Sequence, residues 1–129
     1  GIYAADRLPL KRIRSGAAMV RKDQSPWSNR IHADDLAAAC YLALNSSLDN
    51  EIINVADDAP GTMNEYFSAV ADYAGLPRPP EISLQAAQQS LSPGMLSYLA
   101  ESRRVDNRKM KNLLGLKLQY PGLEQGLKK

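Results

Sequence analysis

The chain has 129 residues, 44% of them hydrophobic and 23% charged, with a formal net charge of +2. That is enough for one modest single domain with a real core, and it excludes a disordered or low-complexity chain. The weak positive charge does not by itself argue for nucleic acid. A single cysteine rules out a disulfide framework or cysteine metal site within one chain, and no apolar run approaches membrane-spanning length. Nothing reads as a signal peptide, and the cysteine usage suits a reducing compartment, so a cytoplasmic setting is expected.

Gly1-Ile2-Tyr3 reads as the end of a buried strand, and with no starting methionine the sequence is expected to be cut from something longer. Ala4 to Arg7 is then a loop. Leu8 to Gly16 forms a short helix, with Pro9 in its first turn and Gly16 as its stop. Its Lys11, Arg12 and Arg14 make a first basic cluster, either a solvated face or an anion site. Ala17 to Arg21 and Ser28 to Ile31 are expected to pair as a hairpin. The loop between them, Lys22 to Trp27, carries the only tryptophan, which either covers a pocket or shields the hairpin.

Asn29 to Leu36 joins this extended run to the best helix of the chain. Ala33 to Leu44 is rich in alanine, with Leu36, Cys40, Ala43 and Leu44 at helical spacing, so Cys40 is expected as a small core residue. Asp34 and Asp35 fall in the first turn, where carboxylates suit the helix dipole. Either they only cap the helix, or one of them holds Arg30 or His32. His32 is the only histidine, and at this junction it is either structural or functional.

Beyond a polar turn, Glu51 to Ala56 is the clearest strand. Thr62-Met63-Asn64-Glu65 has a capping-box pattern and opens a helix with Tyr66, Phe67, Val70, Tyr73 and Ala74 on one face, stopped by Gly75. Strand, loop and capped helix make an α/β unit. Leu76 to Ile82 is a stiff extended linker. Ser83 and Ser92 each start a helix, and Asp106 or Asn107 caps Arg108 to Leu114, which Gly115 stops. Leu116 to Tyr120 is extended, and Pro121 starts a last short helix.

These residues do not make a self-sufficient catalytic set. There is no glycine-rich phosphate loop after a strand, no nucleophile elbow, and no tyrosine followed by lysine four positions on. One histidine excludes multi-histidine metal sites. The neighbouring carboxylates Asp34/Asp35 and Asp57/Asp58 point in different directions on a helix or a strand, which makes them poor acid–base partners. A second basic cluster, Arg103, Arg104, Arg108, Lys109 and Lys111, is interleaved with Glu101 and Asp106 and has no aromatic beside it. It reads as a solvated face more than as a nucleic-acid surface.

Several segments taken in order resemble one family. They are Gly1-Ile2-Tyr3 with Arg7, then Asn29 to Ala37, Ile53 to Pro60, Arg104 to Arg108, Leu114-Gly115, Tyr120-Pro121 and Glu124 to Leu127. Together they are similar to the C-terminal half of extended or atypical short-chain dehydrogenase/reductases, the NAD(P)-dependent nucleotide-sugar epimerase/dehydratase-like proteins. The resemblance implies an α/β fold, the C-terminal part of a Rossmann-like NAD(P)-binding fold, mostly helical with a few short strands. Gly1 to Tyr3 and Glu51 to Ala56 would be strands of one sheet, and most of the rest a small substrate-binding region. It also implies NAD or NADP in the complete protein and a nucleotide sugar as the small-molecule partner. The glycine-rich loop and the catalytic tyrosine–lysine pair would belong to a missing N-terminal Rossmann half. Tyr3, Arg7, Asn29, Arg30, His32 and Asp35 would lie around the substrate and cofactor cleft, none of them the proton-transfer residue. The chain departs from the pattern at Ala4 and Asp6, where relatives often carry glycine.

Three functional classes follow. The first is the substrate-binding portion of an epimerase/dehydratase-like oxidoreductase. The second is a non-catalytic dinucleotide-binding sensor or regulator on the same fold, and the third a basic nucleic-acid module using Arg103 to Lys111. Strands cut from a sheet leave unpaired edges, so a homodimer is also expected.

Overall fold

A computed structural model describes residues 1–128. Its strands are β1 (Ile2–Tyr3), β2 (Met19–Val20), β3 (Trp27–Ser28), β4 (Ile31–His32), β5 (Gly61–Thr62) and β6 (Glu81–Ile82). Its α-helices are α1 (Leu10–Arg14), α2 (Ala33–Leu44), α3 (Met63–Ala74), α4 (Leu84–Ser90), α5 (Pro93–Leu99), α6 (Arg108–Leu114) and α7 (Leu123–Gly126). The chain divides into two compact units. One takes Gly1–Arg7, Asn29–Pro60 and the chain from Arg104 onward; the other takes Leu8–Ser28 and Gly61–Arg103. No helix among the described residues is long and apolar enough to cross a membrane.

In the first unit β1 and β4 run parallel, with Ile2 opposite Ile31 and Tyr3 opposite His32. The core lies between α2 and α6, where Ala39 meets Met110, Leu114 and Leu116, and Ala38, Leu42, Ile53, Val55 and Leu118 close around them. Alanines on α2 let α6 approach closely. Burying a methionine side chain completely, as at Met110, stabilises by about 2 kcal/mol.

The buried face of α2 differs from the one its spacing predicts. Cys40 is exposed, and so is Leu44, at 85%. The inward positions are Asp35, Ala38, Ala39 and Leu42. Asp35 accounts for the rotation, because two backbone N–H groups draw its carboxylate into the interior.

The expected strand at Glu51–Ala56 is also absent among the described residues. The carbonyl of Ala56 accepts from the side chain of Asn107 at 3.0 Å instead of from a neighbouring strand. Only at Asp57 does a backbone N–H reach Arg30, at 2.7 Å.

In the second unit α3 packs on α1 and β2. Phe67, Val70 and Ala71 of α3 are buried, as are Ile13, Met19, Val20 and Ala87. The capping box forms as its pattern predicts: Thr62 Oγ1 accepts from the Glu65 N–H at 3.2 Å, and Glu65 Oε2 accepts from the Thr62 N–H at 2.8 Å. Gly75 ends the helix in the left-handed conformation, φ 64°. Ser83 and Ser92 cap α4 and α5.

The hairpin expected around Trp27 does not form. β2 pairs in parallel with β6, and β3 pairs antiparallel with β5. Asn64 explains the choice of β2: its Nδ2 donates to the Val20 carbonyl at 2.9 Å and to Glu81 Oε1 at 2.7 Å, which ties β2 to β6. The stretch read as a linker therefore ends in a strand, and Trp27 lies on one.

Candidate functional site

Parallel strands of α/β proteins bind ligands beyond their carboxyl ends. In the first unit those ends are Tyr3 and His32, side by side in the β1–β4 pair. Past Tyr3 a 3-10 turn, Ala5–Arg7, leaves the Arg7 side chain exposed. Past His32 the chain enters α2 directly.

His32 is the N-cap of α2, a role usually filled by a serine, threonine or aspartate. Its Nδ1 accepts from the Asp34 N–H at 3.2 Å, so the neutral ring carries its proton on Nε2. The Asp34 carboxylate lies 3.6 Å from the same nitrogen. The ring meets Tyr3 edge-on at 5.2 Å and packs against Tyr120 at 3.9 Å. Tyr3 is buried and donates its hydroxyl proton to the Gly122 carbonyl at 3.2 Å. A Cβ at Gly126 would stand 2.1 Å from that hydroxyl oxygen, so only glycine fits there.

Asp35 fixes the third ring of the cluster. Its Oδ1 accepts from the Gln119 N–H at 2.8 Å and its Oδ2 from the Tyr120 N–H at 2.9 Å. Of the two carboxylates in the first turn, Asp34 thus faces His32, while Asp35 ties down a segment far along the chain.

Asn29 and Arg30 precede β4 and lie at its other end. Asn29 Oδ1 accepts from the Val105 N–H at 2.8 Å. Arg30 is buried, and its carbonyl accepts from Asp57. A cavity of about 330 Å³ opens here, lined by Ile2, Asn29, Arg30, Leu36, Asn54 and Val105 among others. The six candidates therefore sit in two places: Tyr3, Arg7, His32 and Asp35 at the carboxyl ends of the strands, and Asn29 and Arg30 at the amino end of β4.

One perturbed group enters the sequence reading only as half of the Asp57/Asp58 pair. Asp57 is buried, its Oδ1 accepts from the Ala59 N–H at 3.1 Å, and its Oδ2 has no hydrogen-bond partner among the described residues. Burial pushes its pKa up to about 6, against the Ala59 hydrogen bond and the nearby Arg30 charge. The adjacent carboxylates in the Asp57-Asp58-Ala59-Pro60 turn do not show in the sequence which of the two is buried. Its neighbour Asp58 points away, to Asn107 at 2.7 Å and Lys111 at 2.5 Å, as expected for adjacent carboxylates.

The basic clusters are partly neutralised within their own units. Arg103 pairs with Glu101, Arg108 with Asp106, Lys109 with Glu51 and Lys111 with Asp58. That removes most of the charge a nucleic-acid surface would present. Arg12 lies over the Phe67 ring at 5.2 Å and donates to the Ala18 carbonyl at 2.6 Å, a packing role.

No family model matches the sequence, and no curated protein does. Solved structures match over almost the whole chain. A functionally unknown conserved protein from Silicibacter pomeroyi DSS is 31% identical, with a TM-score of 0.86 over 98% of this chain and 43% of that one. The human epimerase family protein SDR39U1, solved with NADPH, is 18% identical, with a TM-score of 0.76 over 98% of this chain and 44% of that one. A UDP-glucose 4-epimerase from Thermotoga maritima, solved with UDP-glucose, is 21% identical, with a TM-score of 0.71 over 98% of this chain and 41% of that one. The chain thus spans less than half the length of each of these structures. It has the α/β fold of a part of Rossmann-type epimerase structures, as the sequence resemblance implies.

Proposed function

We propose that this chain is the substrate-binding C-terminal portion of an NAD(P)-dependent nucleotide-sugar epimerase/dehydratase-like oxidoreductase of the cytoplasm. The observation that carries this reading is the fold likeness over 98% of the chain to a protein solved with NADPH and to another solved with UDP-glucose. The ordered motifs from Gly1-Ile2-Tyr3 to Glu124-Gln125-Gly126-Leu127 support it independently. In the complete protein, NAD or NADP would exchange a hydride with a sugar carbon, and an N-terminal Rossmann half would bring the glycine-rich loop and the tyrosine–lysine pair.

In this reading the residues of the present chain bind and orient. Arg7, exposed past the carboxyl end of β1, meets the negative charge of the nucleotide sugar. Tyr3, His32 and Asp35 hold the two strand ends in place beneath it. Asn29 and Arg30 set the position of β4 from its other end.

The test is a titration of the isotope-labelled chain with UDP-glucose, followed by amide NMR. Shifts are expected in Ala4–Arg7 and at the start of α2, and Arg7→Ala should weaken binding by about tenfold, the loss of one charge-assisted contact. Saturating UDP-glucose with no shift at either strand end would sink the reading.

A further inference from the structure

We propose that Met95 is an oxidation site: a peroxide converts its thioether to the sulfoxide, and this releases α5 from the body of the second unit. The proposal does not rest on the ligand reading above. Three of the chain's four methionines, Met19, Met63 and Met95, meet at one crevice between β2, α3 and α5. Phe67, Leu91 and Leu99 complete its apolar walls. Met19 comes from one stretch of the unit and the other two from the second, so the fold gathers them. All the lining residues belong to this one unit. They leave a void of about 10 Å³, scarcely room for one water, which flexible thioethers are suited to fill.

Met95 stands on the most weakly held helix of the three elements. α5 has no buried residue, and the hydrogen bonds of Pro93–Leu99 stay within the helix and its caps. Its grip on the unit is therefore apolar, through Met95 and Leu99 in the crevice. The chain on either side is tied down. Gln24 Oε1 accepts from the Leu84 N–H at 2.9 Å where α4 begins, and Ser102 Oγ accepts from the Trp27 N–H at 3.1 Å beyond α5. The helix can thus lift between two fixed points. Met95 is half-buried and follows the exposed Ser92, Pro93 and Gly94, which opens a path to its sulfur. Met19 and Met110 are 4% and 0% exposed. Met63 is half-buried too, but its helix is anchored by the capping box and by buried Phe67, Val70 and Ala71.

The step is an oxygen transfer. A lone pair on the sulfur attacks one oxygen of hydrogen peroxide, the O–O bond breaks and hydroxide leaves. The hydroxide takes the proton of the transferred oxygen, so the products are the sulfoxide and water. Sulfur loses two electrons and the peroxide gains them. The new S=O group needs hydrogen-bond donors. Inside the crevice, Asn64 Nδ2 already donates to Val20 and Glu81, and Arg12 Nη2 to the Ala18 carbonyl. Water outside supplies donors freely, so the sulfoxide turns outward and carries α5 with it.

The experiment treats the full chain with dilute hydrogen peroxide and follows each methionine by peptide mass spectrometry, with hydrogen exchange before and after. The peptide holding Met95 should gain one oxygen several-fold faster than those holding Met19 and Met110. Amides of α5 should then exchange about tenfold faster, while those of α3 stay as they were. Met95→Leu keeps an apolar side chain that cannot gain oxygen, so peroxide should leave its α5 exchange unchanged. Met63→Leu should respond as the parent does. Far-UV circular dichroism checks the fold of both variants, and the parent's oxidation order and exchange decide without them. Oxidation of Met19 or Met110 as fast as Met95 overturns the proposal. So does release of α5 that persists in Met95→Leu. Full oxidation of Met95 with unchanged α5 exchange overturns it as well, the sulfoxide then being held inside by Arg12.

Discussion

In the unit around α3, three helices start on local caps. Thr62 and Glu65 cap each other across three residues, and Ser83 and Ser92 each cap the helix that follows them. Longer ties join its two stretches: Asn64 reaches Val20 and Glu81, Gln24 Oε1 accepts from the Leu84 N–H at 2.9 Å, and Ser102 Oγ accepts from the Trp27 N–H at 3.1 Å. In the unit around α2 the long ties centre on one buried carboxylate and one side-chain amide. Asp35 reaches Gln119 and Tyr120, and Asn107 reaches Ala56, Asp57 and Asp58. A unit assembled from three separated stretches needs buried polar ties to fix their register, because apolar packing alone does not specify which strand end meets which turn.

The largest expected effect tests a long-range tie. Asp35→Ala leaves two part-buried N–H groups without an acceptor and should cost about 3 kcal/mol in urea denaturation. Near-UV circular dichroism should lose its tyrosine signal as Tyr120 comes free of His32. Trp27 lies in the other unit, so its fluorescence measures how far the damage travels. Next is Gly126→Ala, which forces Tyr3 out of its place and should cost about 2 kcal/mol, read as a lower thermal midpoint.

Asp57 sharpens the comparison through pH. Its folded pKa, about 6, lies above the ordinary carboxylate value of 3.8 expected in the unfolded chain, so the folded chain holds the proton more tightly. Its contribution to stability is full below about pH 4 and is lost as pH rises through about 6. Asp57→Asn cannot titrate and keeps an acceptor for Ala59. The stability difference between mutant and parent should therefore grow by roughly 1 to 2 kcal/mol from pH 4 to pH 7. A difference that stays flat across that range would show that the buried carboxylate is not the source. The smallest effect belongs to the local caps: Thr62→Ala should cost about 1 kcal/mol, measured by denaturant midpoint.

The sequence made the local features readable and the distant ones much less so. The capping box at Thr62, the glycine stops at Gly75 and Gly115, and helices α2 to α6 all follow from residues within a turn of each other. Strand partners did not follow, because Met19–Val20 is as compatible with a hairpin as with β6, and only the side chain of Asn64 decides. Cys40 was misplaced for a related reason: helical spacing cannot show that a carboxylate will be the buried residue of the first turn. At the candidate site, the junction of His32 with Asp34 and Asp35 was visible, while the stacking of Tyr120 depends on a contact 85 residues away.

That separation also sets an order of events on the ribosome. The stretches of the unit around α3 are complete once Arg103 has been made, whereas Asp35 must wait 84 residues for Gln119. At ordinary translation speeds the wait is roughly 4 to 17 seconds, far longer than helix formation takes. Throughout it, a carboxylate destined for the interior stands in water with its partners not yet synthesised. The unit that carries the candidate site is thus the last to close and the one most exposed to misassembly in the nascent chain.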